Sequence, residues 1–255
     1  MRTHAALAAL FALFALLSLA VLPVHVEAGG CPGASPVGLA LIAPGAPIPL
    51  ADGAPLLQVV AGTRPREQRG RAGRDLFAPL LVRGPGAIGQ PDHRELAPGV
   101  HRLTSERFRA GPYRVAGIQS GGAVRFTSSA SAPLPAPQVT SARRVVDTSM
   151  TGISLRGGRS APPLITVTLT LGSAPPSEAG WLLLYPPGTG TDGRALNLSR
   201  VDTAATRVSF RQTHSQRCGP NLPLMGVPNA GNEIAAAWLT PTGRLSPISR
   251  RVQVR

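Results

Sequence analysis

The segment Leu164–Leu171, with the sequence LITVTLTL, constrains the fold of this chain most strongly. From Ile165 onward, apolar side chains and threonines alternate without a break. A period of two places the apolar side chains on one face of an extended strand and the threonines on the other, whereas an amphipathic helix needs a period near 3.6 residues. Side chains branched at Cβ also favour strand over helix. The segment therefore predicts a half-buried antiparallel strand.

Further short extended segments follow one another along the chain, separated by turns. The 29 glycines and 27 prolines favour many short elements over long helices, and no window is typical of an amphipathic helix. The later predicted strands are Val139–Val146, Leu164–Leu171, Trp181–Tyr185, Ala195–Leu198, Thr206–Arg211, Glu233–Leu239 and Ile248–Val254. The earlier ones are Val37–Ile42, Leu56–Ala61, Phe77–Val82, Val100–Leu103, Pro112–Ala116 and Ala123–Ser128. The chain is therefore predicted to be all-β.

The segment Ser129–Gln138, SASAPLPAPQ, divides these strands into two groups. Its proline, alanine and serine content is typical of a semi-rigid linker. The parts on either side, 32–128 and 139–255, each have the length of an ordinary β-sandwich. The sequence therefore predicts two tandem antiparallel β-sandwich domains.

The closing segment AAAWLTPTGRLSPISRRVQV, residues 235–254, resembles the last two strands of a fibronectin type III or bacterial immunoglobulin-like domain. In those domains an aromatic strand, a glycine turn, a Ser-Pro and a valine-rich strand follow in that order. Trp181 lies where the third strand often carries a core tryptophan. In the first part, Phe108–Val115 and Val124–Thr127 are similar to the end of a bacterial immunoglobulin-like domain. The resemblance implies a fold and no activity.

The N-terminus is typical of a secretory signal peptide, residues 1–28. Arg2 precedes the uncharged apolar segment Ala5–Leu22, and Ala28 provides a small residue at the expected cleavage point. We therefore expect export to the periplasm, the cell surface or the medium. The alternative is an uncleaved anchor, because 18 apolar residues just suffice to span a bilayer.

Cys31 and Cys218 are the only two cysteines. In an oxidising compartment they are predicted to form a disulfide. The alternative is that Cys31 is acylated, although Ala28-Gly29-Gly30 matches a lipoprotein signal poorly. Two cysteines are too few for a structural zinc site of the usual kind.

All 26 basic residues are arginine, set against 12 acidic residues, so the formal net charge is +14. This excess favours anionic partners in a salt-dependent manner. The absence of lysine excludes a GxxxxGK phosphate-binding loop, a Schiff-base enzyme and a Ser–Lys dyad.

The densest basic segment is Thr63–Asp75, TRPREQRGRAGRD. Guanidinium groups bind phosphate or sulfate bidentately, so this segment is a candidate anion clamp for an envelope polymer. No aromatic residue alternates with the arginines to stack on bases, which argues against nucleic acid. The alternative is a solvated loop that Glu67 and Asp75 partly neutralise. The candidate anion-binding residues are Arg64, Arg66, Arg69, Arg71 and Arg74.

Catalytic and cofactor motifs are absent or incomplete. Gly84–Gly89 and Gly188–Gly193 match GxGxxG, but no helix is predicted after either, so both are interpreted as loops. His93 lies beside Asp92 and Glu95 without the spacing of a metal site. No catalytic residue, cofactor site or metal site is therefore predicted, and the chain is expected not to be an enzyme.

The sequence predicts a non-catalytic exported protein of the envelope or secretome, with a binding, adhesion or scaffolding role. A protein that binds an anionic polymer through residues 63–75 is the first alternative. A hydrolase whose residues meet only in the folded chain is the second. The partner is expected to be an anionic envelope polymer or a protein, with membrane contact only through the leader or an N-terminal lipid.

Overall fold

The computed structural model of the chain describes residues 37–61, 76–119, 122–149, 154–155, 159–160, 163–212 and 225–255. Within this part of the chain there are strands and loops but no helix, so the all-β prediction is confirmed there. The earlier strands are β1 (Val37–Leu41), β2 (Pro47–Pro49), β3 (Leu56–Ala61), β4 (Leu81–Gly84), β5 (Ala87–Gly89), β6 (Asp92–Ala97), β7 (Val100–Thr104), β8 (Gly111–Ala116) and β9 (Gly122–Thr127). The later ones are β10 (Val139–Asp147), β11 (Ser154–Leu155), β12 (Arg159–Ser160), β13 (Leu164–Leu171), β14 (Trp181–Tyr185), β15 (Asn197–Arg200), β16 (Arg207–Arg211), β17 (Glu233–Leu239) and β18 (Val252–Gln253).

The N-terminal half, β1 to β9, contains two sheets that pack face to face. Sheet 1 has the strand order β2-β9-β8-β4-β5, and sheet 2 has the order β1-β3-β7-β6. Neighbouring strands are antiparallel except for the short parallel pair β2 and β9. Tyr113, Val115 and Phe126 of sheet 1 meet Leu57 and Leu103 of sheet 2 in one buried cluster. This cluster is the core of the N-terminal half.

The C-terminal half, β10 to β18, has the same arrangement of two facing layers. Sheet 3 has the order β15-β14-β17-β18, and sheet 4 has the order β10-β13-β16, while β11 and β12 form a separate two-stranded pair. Val167, Leu169 and Phe210 of sheet 4 pack against Leu182 and Trp238 of sheet 3. The alternation in LITVTLTL therefore has the predicted meaning, because its apolar side chains from Val167 onward face this core and its threonines face away.

Sheets 2 and 3 also pack against each other through a third apolar cluster. The side chains of Leu183 and Tyr185 project from the face of sheet 3 opposite to that of Leu182. They pack in one cluster with Leu56 and Leu96 of sheet 2. Sheet 3 is thus buried on both faces, which explains why β14 is apolar throughout. The molecule is a stack in the order sheet 1, sheet 2, sheet 3, sheet 4. The four sheets accordingly belong to one compact unit.

A buried arginine reinforces the junction of the two halves. The Arg244 side chain is 5% exposed, with its Nε 2.7 Å from Oδ2 of Asp52 and its Nη1 2.6 Å from Oε2 of Glu178. Its Nη2 donates to the carbonyl oxygen of Ala132. One guanidinium therefore joins the N-terminal half, the connecting segment and the C-terminal half.

The connecting segment Ser129–Gln138 contains neither helix nor strand. It does not run free of the two halves, because Leu134 is only 8% exposed and Pro137 is also buried. Together with the bond from Arg244 to Ala132, this burial holds the segment against the body of the protein.

The predicted strands Leu56–Ala61, Leu164–Leu171, Trp181–Tyr185 and Glu233–Leu239 are confirmed with the same bounds. Strands β2, β5 and β6 have no predicted counterpart, because PIP, AIG and DHRELA are too short or too polar to show a period of two. The core tryptophan between sheets 3 and 4 is Trp238, whereas Trp181 is half-buried against sheet 2.

The prediction of a strand over Ile248–Val254 is wrong for most of its length, because regular strand covers only Val252–Gln253. Pro247 has no amide hydrogen and interrupts the ladder. The amides of Trp238 and Ala236 donate instead to the hydroxyls of Ser246 and Ser249, each over 2.9 Å.

The prediction of a loop is confirmed for Gly188–Gly193, but it is wrong for most of Gly84–Gly89, where only Pro85 and Gly86 lie outside strands. Gly84–Gly89 is a hairpin in which β4 pairs with β5 and Gly86 takes a φ of 76°. Gly188–Gly193 lies in turns between β14 and β15. In the part of the chain that the structure covers, no helix is present that would be long and apolar enough to cross a membrane.

Candidate functional site

Several predicted features lie outside the described residues. They are the signal peptide 1–28, Cys31, Cys218, and the arginines Arg64, Arg66, Arg69, Arg71 and Arg74. The disulfide and the anion clamp over Thr63–Asp75 therefore stay predictions. The remaining candidates for an anion-binding site are the arginines of the described residues.

Only four arginines form ion pairs within the described ranges. Arg94 and Arg194 bind acidic residues near the junction of the halves, Arg244 is the buried clamp, and Arg251 lies 3.9 Å from Glu233. The other described arginines have no carboxylate within 4.0 Å among these residues. Six of them project from the exposed faces of sheets 1 and 4, which are the two outermost layers of the stack.

The outer face of sheet 4 carries arginines and hydroxyl side chains in a regular array. The register places three residues side by side in each row across β10, β13 and β16. The rows are Ser141–Thr170–Arg207, Arg143–Thr168–Ser209 and Val145–Thr166–Arg211. These nine side chains are called the C-terminal arginine face. Its arginines and serines are exposed and its threonines half-buried.

The spacing of this array follows from strand geometry. Adjacent strands lie about 4.8 Å apart, and side chains on one face of a strand are about 7 Å apart. Arg207 and Arg211 therefore lie about 13 Å apart on β16, and Arg143, which is opposite Ser209 across β13, lies about 12 Å from each of them. The hydroxyls of Thr168 and Ser209 are hydrogen-bonded over 2.9 Å at the centre. Three guanidinium groups thus surround a patch of hydroxyls.

No carboxylate lies within these three rows. The nearest one on this side of β10 is Asp147, which pairs with Leu164 beyond the last row. The side chain and backbone amide of Ser149 donate to Asp147 and lower the pKa of its carboxyl. No residue of the three rows therefore neutralises the charge of the three arginines.

Aromatic residues are missing from both outer faces. All eight aromatic side chains within the described ranges belong to the three apolar clusters or pack against them. Sheet faces without aromatic rings lack the side chains on which sugar rings and bases most often stack. The C-terminal arginine face can therefore bind through charge and hydrogen bonds, which suits a hydroxylated anion.

A second candidate is a polar cavity of about 370 Å³ at the end of the N-terminal half. Asp92, Ser105, Glu106 and Arg107 line it together with Val82. No group of three or more His, Cys, Asp and Glu side chains is positioned to hold a metal ion among the described residues. The cavity therefore provides polar lining groups but no metal-binding cluster among the described residues.

A third candidate is the histidine pair of sheet 2. The ring of His93 stacks on Phe77 at a centroid distance of 3.7 Å, and the ring of His101 lies tilted against Phe77 at 4.5 Å. Burial lowers the pKa of His101, and its Nδ1 has no hydrogen-bond partner among the described residues. Glu95 lies opposite His101, but its Oε1 accepts a hydrogen bond from Nη2 of Arg194 and its Oε2 forms an ion pair with Nε of Arg194, each over 2.9 Å. This arrangement provides packing and supplies no free carboxylate beside the imidazole.

Comparisons with known proteins add little to this geometry. No protein-family model matches the chain. No curated protein sequence matches it either. Among solved structures it is similar to the fibronectin(III)-like modules of Clostridium thermocellum CbhA, with 11% identity over 85% of this chain and 92% of that one, and a TM-score of 0.26. A TM-score this low supports neither a shared fold nor a shared function.

Proposed function

We propose that the chain is an exported, non-catalytic binding protein whose two halves are immunoglobulin-like sandwiches, and that it binds an anionic polysaccharide. Export is supported by the predicted signal peptide 1–28, and the sandwiches by two facing sheets in each half. The C-terminal arginine face is the observation that carries the proposed ligand. It places three arginines around a hydroxyl patch without a carboxylate in the array.

Charge and hydrogen bonding together favour a polysaccharide over a nucleic acid. Guanidinium groups bind sulfate, phosphate or carboxylate, and threonine and serine hydroxyls bind the hydroxyls of sugars. Proteins that bind single-stranded nucleic acid combine a basic groove with aromatic side chains for base stacking, and this face has none. A flat array also suits a linear polymer better than a small molecule, which needs a concave site.

The test is binding to a sulfated dextran, with Arg143→Thr, Arg207→Thr and Arg211→Thr combined in one variant. Threonine preserves strand propensity and extends the hydroxyl array, so only the charge is removed. Because each guanidinium contact displaces counterions, we expect the salt dependence of log K to become shallower by about 2. The variant should elute from the resin at a lower salt concentration than the parent protein.

A matched control removes the same charge away from this face. Arg200, Arg250 and Arg251 are exposed on other parts of the C-terminal half, so their triple threonine variant has the same net charge. We expect this control to retain most of the affinity. Equal loss in both variants would reduce the interaction to net charge and overturn the proposal.

Two further probes separate the alternatives. Single-stranded oligothymidine that binds as tightly as the sulfated dextran, with the same loss in the face variant, would make nucleic acid the partner. A variant of the Thr63–Asp75 segment without its five arginines tests the other predicted clamp. If that variant alone loses binding, the Arg-rich segment and not the C-terminal arginine face is the site.

A further inference from the structure

The outer face of sheet 1 is a second arginine array at the opposite end of the molecule. Arg83 on β4 lies directly opposite Arg114 on β8, and Arg114 lies opposite Ala123 on β9. Arg125, two residues after Ala123, is therefore the diagonal neighbour of Arg114. Pro112, Ala116 and Leu81 lie on the same exposed face of β4 and β8. These seven residues are called the N-terminal arginine face.

Local repulsion on this face is not relieved by any carboxylate of the described residues. Two like charges directly opposite each other destabilise a sheet pair, and such a pair persists when an anion or water compensates it. Neither Arg83 nor Arg114 has a carboxylate within 4.0 Å among the described residues. Their alternate neighbours Val82 and Val115 are buried in the core, so both arginines are held on the outer side.

The stack fixes the two arginine faces on opposite sides of the protein. Sheets 2 and 3 lie between them, and three intersheet spacings of about 10 Å separate the two outer layers by about 30 Å. The contact between sheets 2 and 3 is closely packed, because Leu96, Leu183 and Tyr185 are fully buried in it. The amide of Ala195 also donates to the carbonyl of Leu96 over 2.7 Å. The faces therefore point away from each other in one compact unit.

We infer that the N-terminal arginine face is a second site for the same anionic polysaccharide, so that one protein molecule cross-links two polymer chains. This inference rests on the proposed function, since it takes the same ligand chemistry. A straight polymer segment that lies on one face cannot reach the other, so double occupancy joins two segments. Cross-linking would give the protein a scaffolding role in a polyanionic matrix.

The inference is tested with sulfated dextran of two lengths. A short oligosaccharide fragment reports the number of sites by calorimetric titration, and a long chain reports cross-linking by turbidity. The parent protein should bind about two fragments and turn a solution of the long polymer turbid. The variant Arg83→Thr/Arg114→Thr/Arg125→Thr should bind about one fragment and give no turbidity.

The variant of the C-terminal arginine face separates this inference from the proposed function. If it also binds one fragment without turbidity, both sites exist. If it binds no fragment while the sheet 1 variant behaves like the parent, the proposed function stands and the second site is wrong. If neither variant loses a fragment, the proposed function fails together with the inference. Circular dichroism spectra matching the parent exclude misfolding of either variant.

Discussion

The Nε of Arg244 donates a hydrogen bond to Oδ2 of Asp52 over 2.7 Å, although 192 residues separate them along the chain. Asp52 lies in the turn between β2 and β3, and Arg244 lies in the connection between β17 and β18. The arginine side chain is 5% exposed while that of Asp52 is 43% exposed. Because the guanidinium has lost nearly all its water, Asp52 and Glu178 compensate its buried charge. The pair couples the two halves of the stack.

Replacing Arg244 by methionine should weaken that junction. The variant loses charge-assisted hydrogen bonds to Asp52 and Glu178, but the two carboxylates keep access to water, which limits the loss. We expect the free energy of unfolding in urea to fall by about 1 to 3 kcal/mol. Hydrogen exchange should also accelerate at the amide of Ala54, which donates to Thr242 across the junction.

Arg251→Met is the matched control for this substitution. Arg251 lies 3.9 Å from Glu233, and their side chains are 45% and 58% exposed. Such a surface pair contributes less than about 0.5 kcal/mol, so the control should unfold like the parent protein. Equal stability of both variants would show that Arg244 does not stabilise the junction.

Replacing Tyr185 by phenylalanine should increase stability at alkaline pH. Burial raises the pKa of Tyr185 to about 12 from the ordinary 10.0. Between these values the unfolded chain loses a proton that the folded protein keeps, so the free energy of unfolding falls as pH rises through this window. The phenylalanine variant lacks this loss, which amounts to about 1.4 kcal/mol at pH 11. Urea midpoints at about pH 8 and pH 11 measure the difference.

Tyr113→Phe gives the contrast at neutral pH. The Tyr185 hydroxyl has no hydrogen-bond partner among the described residues, whereas that of Tyr113 donates to Pro85 and accepts from the amide of Arg109. We expect Tyr113→Phe to cost about 1 to 2 kcal/mol and Tyr185→Phe to be neutral or stabilising. A loss of similar size at both positions would mean that water or another group satisfies Tyr185.

Replacing His101 by phenylalanine should reduce sensitivity to acid. Burial lowers the pKa of His101 below 6.5, and His93 and Arg194 lower it further against the opposing effect of Glu95. Below pH 6.5 the unfolded chain therefore binds a proton that the folded protein refuses, and stability falls as pH falls. The phenylalanine side chain keeps an aromatic ring against Phe77 and has no group that binds this proton. The drop in melting temperature from about pH 7.5 to 5.0 should shrink by about 1 to 2 °C.

His93→Phe is the control, because it removes a neighbouring imidazole that is exposed. Its melting temperature should keep most of the parent's dependence on pH. If the two variants respond to acid alike, the acid sensitivity does not come from burial of His101.

The sequence predicted the long strands because their patterns depend only on which of their faces are buried. Leu164–Leu171 alternates from Ile165 onward, and Trp181–Tyr185 is apolar throughout because both of its faces are covered. The hydrogen bond that attaches Ser129–Gln138 to Arg244 was not predictable, since its donor lies more than a hundred residues further on. Long-range contacts of this kind leave no local periodicity.

The sequence contains a signal for the arginine faces, but the pattern of a single strand does not show how the arginines are arranged across a sheet. In Arg207–Arg211, RVSFR, the arginines alternate with Val208 and Phe210, so a period of two already directs them away from the core. What the pattern lacks is the register, which sets Arg207 beside Thr170 and Arg83 beside Arg114. Register follows from strand pairing across the sheet, and a single strand does not specify its partner.

The opposition of Arg83 and Arg114 leads to a prediction in which stability and binding change in opposite directions. Arg114→Glu turns a like-charge pair into an opposite-charge pair on an exposed face, which should stabilise the sheet by about 0.2 to 1 kcal/mol. Arg125→Glu makes the same change of charge directly opposite Pro112 and Pro47, with Arg114 only a diagonal neighbour about 7 Å away, so a gain too small to measure is expected.

Both glutamate variants should lose affinity for sulfated dextran by a similar factor, because each places a negative charge on the N-terminal arginine face. Only Arg114→Glu should show a higher urea midpoint than the parent protein. A higher midpoint in both variants would trace the gain to lower net charge, and an unchanged midpoint in both would show that solvent already relieves the arginine pair. We expect weaker binding in both variants and greater stability in Arg114→Glu alone. This combination requires that Arg83 and Arg114 oppose each other with no carboxylate beside them.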